Sequence, residues 1–337
     1  MPPSVVDIPE SRYSIKSIAR PLRLHQRLQR WRLLSRGLFF FLFLCAPVLD
    51  LFRLDLYAGS FVFFGRHLSL GLSPFLREGG MDPVAAGVSV LTHAILPVLA
   101  IIGLVVVVSW HFGRLYCGWL CPHFSVVEML NGLMRRTLGK PTFWERRDSS
   151  FSPPGRLLAW LPVAAAALAM AFIWAVSMLT YLLPPEVVFQ NLLHGHPTPN
   201  QSRFLGVATG LLFLDFLFFR HLFCRFGCAA GLFQSLVWMG NRTALTPLFQ
   251  RQRAVVCQEC PQSCDTVCPM RLKPRGGKNR IATCTQCGLC TQACARERQD
   301  TPGSPPLGWQ RGERVSSLSG SYVSLPDSIS AKQMDRS

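Results

Sequence analysis

Four apolar stretches alternate with polar, mostly basic segments along this chain. Pro83 to Gly113 contains no formally charged residue, and neither does Leu157 to Leu183. Leu38 to Phe52 is shorter, and Phe204 to Phe219 contains one carboxylate. Because a helix needs about 20 apolar residues to cross a bilayer, these stretches predict four membrane spans. The expected spans are about 37–53, 86–111, 157–183 and 204–222.

Two details of these spans predict local contacts. Arg36 and Arg53 flank the first span, and we expect their long side chains to extend from its ends toward the membrane surface. Gly206 and Gly210 lie about one turn apart in the fourth span, where small residues let helix backbones approach closely.

The distribution of Lys and Arg predicts how the spans are oriented. Eight of these residues lie in 1–36, seven in 114–156 and sixteen from Arg220 onward, whereas 53–82 holds three and 184–203 holds one. Basic residues concentrate in cytoplasmic segments of membrane proteins. Both termini and the 114–156 segment are therefore expected in the cytoplasm.

Composition agrees with a membrane protein and changes the interpretation of the charge. Charged residues make up 16% of the 337 residues, against roughly 25% in soluble domains, and the mean hydropathy is +0.26. A soluble globular enzyme is therefore disfavoured. The formal net charge of +17 by itself suggests nucleic acid or an anionic membrane surface as a partner. Since the basic residues follow the predicted topology and form no recognisable nucleic-acid-binding motif, we expect no nucleic-acid partner.

Thirteen cysteines supply the candidate chemistry, and twelve of them lie in segments predicted to be cytoplasmic. The cytoplasm keeps thiols reduced, so these cysteines are available as ligands. The exception, Cys45, lies in the first span and is expected to be a small buried side chain.

Eight cysteines near the C terminus form two consecutive runs of four. The runs are Cys257-x2-Cys260-x3-Cys264-x3-Cys268-Pro269 and Cys284-x2-Cys287-x2-Cys290-x3-Cys294. Two quartets fit two [4Fe–4S] clusters, in which the fourth cysteine of each run binds the other run's cluster. The predicted ligands are Cys257, Cys260, Cys264 and Cys294 for cluster 1, and Cys284, Cys287, Cys290 and Cys268 for cluster 2.

Zinc is the alternative occupant, because paired C-x2-C units also build zinc ribbons. Two runs of four, the first followed by proline, favour clusters over zinc. The runs depart from the bacterial pattern in the x3 spacing of the first and in Ala295, where proline is usual. The basic residues between the runs are expected to stabilise reduced clusters, to form a solvated loop or to dock an acidic partner. They are Arg271, Lys273, Arg275, Lys278 and Arg280.

A second cysteine motif occurs twice, once after the second span and once after the fourth. The two copies are Arg114-Leu-Tyr-Cys117-x3-Cys121-Pro122 and His221-Leu-Phe-Cys224-x3-Cys228-Ala229. Cysteines four apart share one side of a helix. If the two halves pack with pseudo-symmetry, the four cysteines form one site for copper(I), another metal or a third cluster. The alternative is two independent thiol pairs.

Four spans, the segment GRLYCGWLCP, the second C-x3-C and the ferredoxin runs resemble the NapH-type membrane iron–sulfur proteins, over about residues 35–296. The CcoG (RdxA) oxidase-assembly proteins and the C-terminal part of NosR are related to these. The resemblance implies four transmembrane helices in a bacterial inner membrane, cytoplasmic clusters and electron exchange with the quinone pool. It carries the cluster ligands onto the eight ferredoxin cysteines, and the motif cysteines onto Cys117, Cys121, Cys224 and Cys228. Ala229 replaces the second motif's proline, so equal roles of the two motifs are in question.

Asp215 is the one carboxylate well inside a predicted span, where an ionisable side chain is costly and suggests a function. It precedes Cys224 by nine residues, about 13 Å along a helix. We expect it either to accept a proton released by quinol oxidation or to form a helix-packing hydrogen bond. Haem is not expected, since His93 and His111 share a helix face but two haems would need four such histidines.

The sequence therefore predicts a membrane all-α protein in which two pseudo-repeats form a four-helix region followed by a two-cluster ferredoxin-like domain. Its segments are 1–36 (basic and cytoplasmic, with the first 30 residues expected on the inner leaflet), 37–245 (membrane), 246–298 (ferredoxin-like) and 299–337 (disordered). The predicted function is electron transfer between the quinone pool, or a cytoplasmic donor, and a redox partner, with quinol dehydrogenase-type or metal-reducing activity as possible forms. The alternative is an assembly factor that supplies electrons or reduced copper to a metalloenzyme.

Overall fold

The long apolar stretches form helices in the structure, a computed structural model that describes residues 15–56, 60–68, 83–145, 156–257, 260–298 and 305–311. The helices are α1 (Ile15–Cys45), α2 (Pro83–Val90), α3 (Leu96–Phe112), α4 (Leu115–Trp119), α5 (Pro122–Leu138), α6 (Arg156–Leu182), α7 (Pro185–Leu193), α8 (Pro199–Leu214), α9 (Ala229–Gly240), α10 (Ser263–Thr266) and α11 (Leu289–Glu297). A turn of π-helix at Leu91–Ile95 joins α2 to α3, and another at Asp215–Phe219 extends α8.

Short strands correct the predicted all-α class. Within the described residues, β1 (Phe52–Asp55), β2 (Ser60–Phe63) and β3 (Arg66–Leu68) form an antiparallel sheet, and β4 (Thr246–Phe249) pairs antiparallel with β5 (Leu307–Gln310). β5 lies in the segment predicted to be disordered, so that prediction is wrong for these four residues. The reason is burial, since Leu307 is 2% exposed and packs with cysteines of the ferredoxin runs. Residues 299–304 and 312–337 lie outside the described chain.

The prediction of a helical first span as far as Phe52 is wrong, because α1 ends at Cys45. Pro47 follows two residues later, and its ring nitrogen cannot donate a hydrogen bond to the Phe43 carbonyl. The hydroxyl of Tyr181 on α6 donates to that carbonyl instead, at 2.8 Å.

The two arginines expected to extend from the first span are buried in ion pairs instead. Arg53 contacts Asp50 at 2.5 Å and Asp55 at 2.9 Å. Arg36 contacts Glu128 of α5 at 2.6 Å. A carboxylate within reach stabilises a buried guanidinium without exposing it to water.

Among the described residues, two helices are long and apolar enough to cross a bilayer, at Leu158–Leu182 and Pro199–Phe219. Leu96–Phe112 is apolar but shorter, so the predicted four-span region is not confirmed. The helix at Pro199–Phe219 begins five residues before the span predicted at 204–222. Thr198 caps it by accepting the backbone N–H of Gln201, whose side chain accepts the backbone N–H of Thr198.

α6 and α8 pack along each other through an alanine stripe on α6. Ala167, Ala171 and Ala175 are fully buried, as small residues at a close helix contact should be. The close approach predicted at Gly206 and Gly210 does not occur among the described residues, where a Cβ built on either has no heavy atom within 4 Å.

Candidate functional site

Each C-x3-C motif ends where a helix begins. α4 carries Cys117, and Cys121 directly precedes α5, whose first residue is proline. In the second motif, Cys224 lies in a turn of π-helix and Cys228 directly precedes α9. The four-residue spacing predicts that both cysteines of a motif lie on one continuous helix. The structure differs, because the chain bends at the second cysteine of each motif.

These bends place all four motif cysteines around one cavity of about 60 Å³. Arg114 and His123 also line this cavity. The Cys117 sulfur lies 3.7 Å from Oε1 of Gln234, and burial raises the pKa of Cys121 to about 11. The two halves of the chain thus bring their thiols together, rather than keeping two separate pairs.

A second cavity, of about 20 Å³, is surrounded by cysteines of both ferredoxin runs. Met270, Leu272 and Ile281 close it with apolar side chains. Burial raises the pKa of Cys268 to about 11, and the neighbouring Cys287 thiolate adds to the rise. The cysteines around the cavity are Cys268, Cys284, Cys287 and Cys290, the set predicted for cluster 2.

The other four ferredoxin cysteines form a set nearer the surface. The Cys294 thiolate interacts electrostatically with those of Cys257 and Cys260, and the Cys264 thiolate interacts with those of Cys294 and Cys260. Cys257 and Cys260 are partly exposed, whereas Cys264 and Cys294 are buried. Burial raises the pKa of Cys264 to about 12. This is the set predicted for cluster 1.

α11 lies between the two ferredoxin sets and contributes to both. Cys290 lines the closed cavity, while Cys294, one turn later, belongs to the set nearer the surface. Cys268, the last cysteine of the first run, correspondingly joins the second run. Cys268 therefore lies with the second run and Cys294 with the first, the crossed grouping that is typical of two-cluster ferredoxins.

A cluster and a single metal ion place different demands on four thiols. No three His, Cys, Asp or Glu side chains in the described parts of the chain are placed to hold one metal ion. Zinc needs its four ligands around a single centre, whereas a cubane offers an iron at each of four separate corners.

Three of the five basic residues between the runs bind within the chain. Arg271 contacts Glu145 at 2.6 Å, and Arg275 contacts Asp265 at 2.6 Å. Lys278 donates to two backbone carbonyls. The expectation of a wholly solvated loop is therefore wrong for these three side chains.

The first C-x3-C motif packs directly on the closed ferredoxin cavity. A Cβ built on Gly118 would lie 2.0 Å from the carbonyl oxygen of Thr285. Trp119 donates its indole N–H to the carbonyl of Gln286 at 3.2 Å. The two cavities also adjoin one hydrophobic core, which Cys121, Cys224, Cys268 and Cys284 all contact.

Comparisons with known proteins agree with an iron–sulfur site. The family described as "4Fe-4S binding domain" matches residues 94–141. The chain is 24% identical to "Putative electron transport protein YccM" of Escherichia coli, over 56% of this chain and 51% of that protein. It is 28% identical to "Methylamine utilization ferredoxin-type protein MauN" of Methylorubrum extorquens, over 66% and 62%. It is 23% identical to "Ferredoxin-type protein NapH" of Escherichia coli, over 80% and 88%.

The resemblance to the NapH-type family is confirmed. The chain spans about half the length of YccM, and no solved structure matches it. The matched family segment contains Cys117 and Cys121 but none of the eight ferredoxin cysteines. Iron–sulfur binding is thus supported by a part of the sequence that lies outside the ferredoxin runs.

His123 is absent from the predicted site residues, yet it connects two of them. Its Nε2 lies 2.8 Å from Oδ2 of Asp215, and its Nδ1 lies 3.6 Å from the Cys224 sulfur. The other carboxylate oxygen of Asp215 is buried and has no hydrogen-bond partner among the described residues. The sequence offered one signal for this contact. A carboxylate in a membrane span needs a polar partner, and a histidine directly follows Cys121-Pro122 at the end of the first motif.

α1 covers the closed ferredoxin cavity, which the sequence did not predict. Gln29 donates to the Cys287 carbonyl at 2.7 Å, and Arg32 donates to the Gly118 carbonyl at 2.9 Å. Arg32 is 3% exposed, and its charge favours the Cys287 thiolate. The sequence predicts that the first 30 residues lie on the inner leaflet, and the contact of Gln29 shows that this part of α1 packs on the ferredoxin region.

Proposed function

We propose that this protein is an integral membrane electron-transfer protein that relays electrons between the quinone pool, or a cytoplasmic donor, and a redox partner. The observation that carries the proposal is the crossed arrangement of the eight ferredoxin cysteines. Each set of four fits one [4Fe–4S] cluster, which when bound accepts and donates single electrons. Because both sets share α11, electrons would pass between the two clusters over a short distance.

Exposed apolar side chains support placement in a bacterial inner membrane. Leu99, Ile101 and Leu104 of α3 are 59%, 63% and 64% exposed, and lipid would cover them. With basic segments on the inside, both termini and both clusters would face the cytoplasm.

The depth of the two sets suggests an order for the relay. The Cys268 set is closed by apolar side chains and adjoins the membrane motifs, so it would exchange electrons with the membrane side. Cys257 and Cys260 are partly exposed, so the other set would exchange electrons with a protein partner.

Metal content tests the proposal. Purified without oxygen, the protein is expected to hold at least about eight irons and eight sulfides per chain, two cubanes. Cys264→Ser should lose one cluster's EPR signal, because Cys264 lies only in the set nearer the surface. Cys45→Ser is the matched control and should keep every signal. Fewer than about eight irons, or zinc in their place, would refute two clusters.

Quinol oxidation, which yields quinone, two electrons and two protons, gives Asp215 a role as proton acceptor. Electrons would leave one at a time to the clusters. Asp215→Asn is expected to slow cluster reduction by a quinol about 10²-fold, the low end of general-base effects. Reduction by dithionite should be unchanged, because it needs no proton acceptor. Glu186→Gln, at an exposed carboxylate, is the control. An unaltered rate of cluster reduction by quinol in Asp215→Asn would refute the role as proton acceptor and leave Asp215 only its hydrogen bond to His123.

The same preparation tests the assembly-factor alternative, which the four converging thiols keep open because thiolates select copper(I). Oxidation of reduced clusters by Cu(II), abolished in Cys117→Ser/Cys224→Ser, would support copper reduction. Cluster reduction by quinol would support the relay.

A further inference from the structure

We propose that Cys117, Cys121, Cys224 and Cys228 together bind a third [4Fe–4S] cluster, where the two halves of the membrane region meet. The inference rests on the electron relay proposed above and adds one centre to its membrane side.

The donor set is complete only when both halves fold together. Each C-x3-C motif supplies two thiols, and all four line one cavity of about 60 Å³. Four cysteine thiolates are the usual ligand set of a cubane. Neither half could ligate all four iron corners alone. A shared cluster would therefore explain why the C-x3-C motif occurs twice in the chain.

A buried cation beside the thiols points to an anionic occupant. Arg114 is 1% exposed and donates to the carbonyls of Cys224 and Thr283, and its charge favours the Cys117 thiolate. In the part of the chain that the structure describes, no carboxylate forms an ion pair with Arg114, and its Nε has no hydrogen-bond partner. A cubane held by four thiolates is anionic and would balance this charge.

The packing around Arg114 and Cys121 also favours an anionic occupant. A Cβ built on Gly231 would lie 1.8 Å from Nη2 of Arg114, so only glycine leaves room for the guanidinium there. Backbone N–H groups of His123 and Phe124, in the first turn of α5, point to the Cys121 sulfur. Such N–H groups stabilise anionic sulfur at a helix N terminus.

The geometry favours a cluster over one copper ion and over a disulfide. The described part of the chain offers no group of three His, Cys, Asp or Glu side chains placed around one ion. All four motif cysteines are free thiols. The contact of Gly118 with Thr285 brings the site against the Cys268 set, so a cluster here would have an electron acceptor beside it.

Iron and sulfide analysis of the full chain, with EPR, tests the third cluster. The wild type is expected to hold roughly twelve irons and twelve sulfides, four of each per cubane. Cys117→Ser/Cys224→Ser should lose about one third of both and keep the two ferredoxin signals, and Cys45→Ser should lose none. Equal iron in wild type and double variant, or one copper per chain lost in the variant at constant iron, would overturn the proposal.

The outcomes separate this inference from the two-cluster proposal. About eight irons in both wild type and double variant would refute the third cluster and leave the ferredoxin clusters standing. About four in the wild type would refute both. If the double variant does not fold, Cys228→Ser removes a single ligand. It should convert one cubane into a three-iron form with an EPR signal in the oxidised state, and absence of this signal in folded protein would overturn the proposal.

Discussion

Replacement of Glu128 by glutamine is expected to lower the free energy of unfolding by about 3 kcal/mol, the low end of the effect of removing one partner from a buried ion pair, because Glu128 is itself 23% exposed. Glu128 contacts Arg32 at 2.5 Å and Arg36 at 2.6 Å, and these arginine side chains are 3% and 9% exposed. Glutamine would leave two positive charges in a poorly solvated place. Thermal unfolding in detergent should therefore show a lower Tm.

The matched control is Glu186→Gln at the exposed start of α7, where the expected change is within about 1 kcal/mol. Arg36→Gln/Glu128→Gln removes one charge of each sign and should recover part of the lost stability. A wild-type Tm for Glu128→Gln would show that this ion pair does not hold α1 against α5.

Gly118→Ala is expected to destabilise the protein by about 1–3 kcal/mol, because an added methyl overpacks a filled contact. The new Cβ would lie 2.0 Å from the Thr285 carbonyl oxygen, a backbone atom that cannot rotate away. α4 would have to separate from the ferredoxin loop that carries Cys284 and Cys287. Tm and retained iron, measured on the same samples, should both fall.

Gly132→Ala provides the comparison within the same half of the chain. Gly132 lies in α5, and a Cβ built on it has no heavy atom within 4 Å. Alanine there should stabilise the helix by about 0.5–1 kcal/mol. If Gly118→Ala behaves like Gly132→Ala, α4 does not contact the ferredoxin loop as the structure has it.

The cysteine sets could be predicted because ligand spacing is a local property of the chain. A run of cysteines two or three residues apart can wrap a cluster whatever the remaining fold is, and only Cys268 and Cys294 reach across between runs. The structure groups the eight ferredoxin cysteines as their spacing predicts. The apolar stretches likewise predicted helices, although their ends were less predictable because proline and caps decide them locally.

Contacts between distant residues could not be predicted in this way. Gln29 meets Cys287, 258 residues later, and His123 meets Asp215, 92 residues later. Nothing in the local pattern around Gln29 distinguishes a helix on a membrane surface from one that covers a buried thiol set. β5 was unpredictable for the same reason, since its pairing partner β4 begins 61 positions earlier at Thr246.

The sequence by itself determined the apolar helices and the excess of basic residues at predicted cytoplasmic segments, and it predicted the grouping of the ferredoxin cysteines into two sets of four. All three depend on spacing and composition over a few helical turns. Only the tertiary structure decided that both C-x3-C motifs share one cavity, that α1 covers the Cys268 set and that Arg114 is buried beside four thiols with no carboxylate partner among the described residues. These features depend on which charges and thiols are buried together. Such burial is produced by contacts between residues about a hundred or more positions apart, which local spacing does not specify.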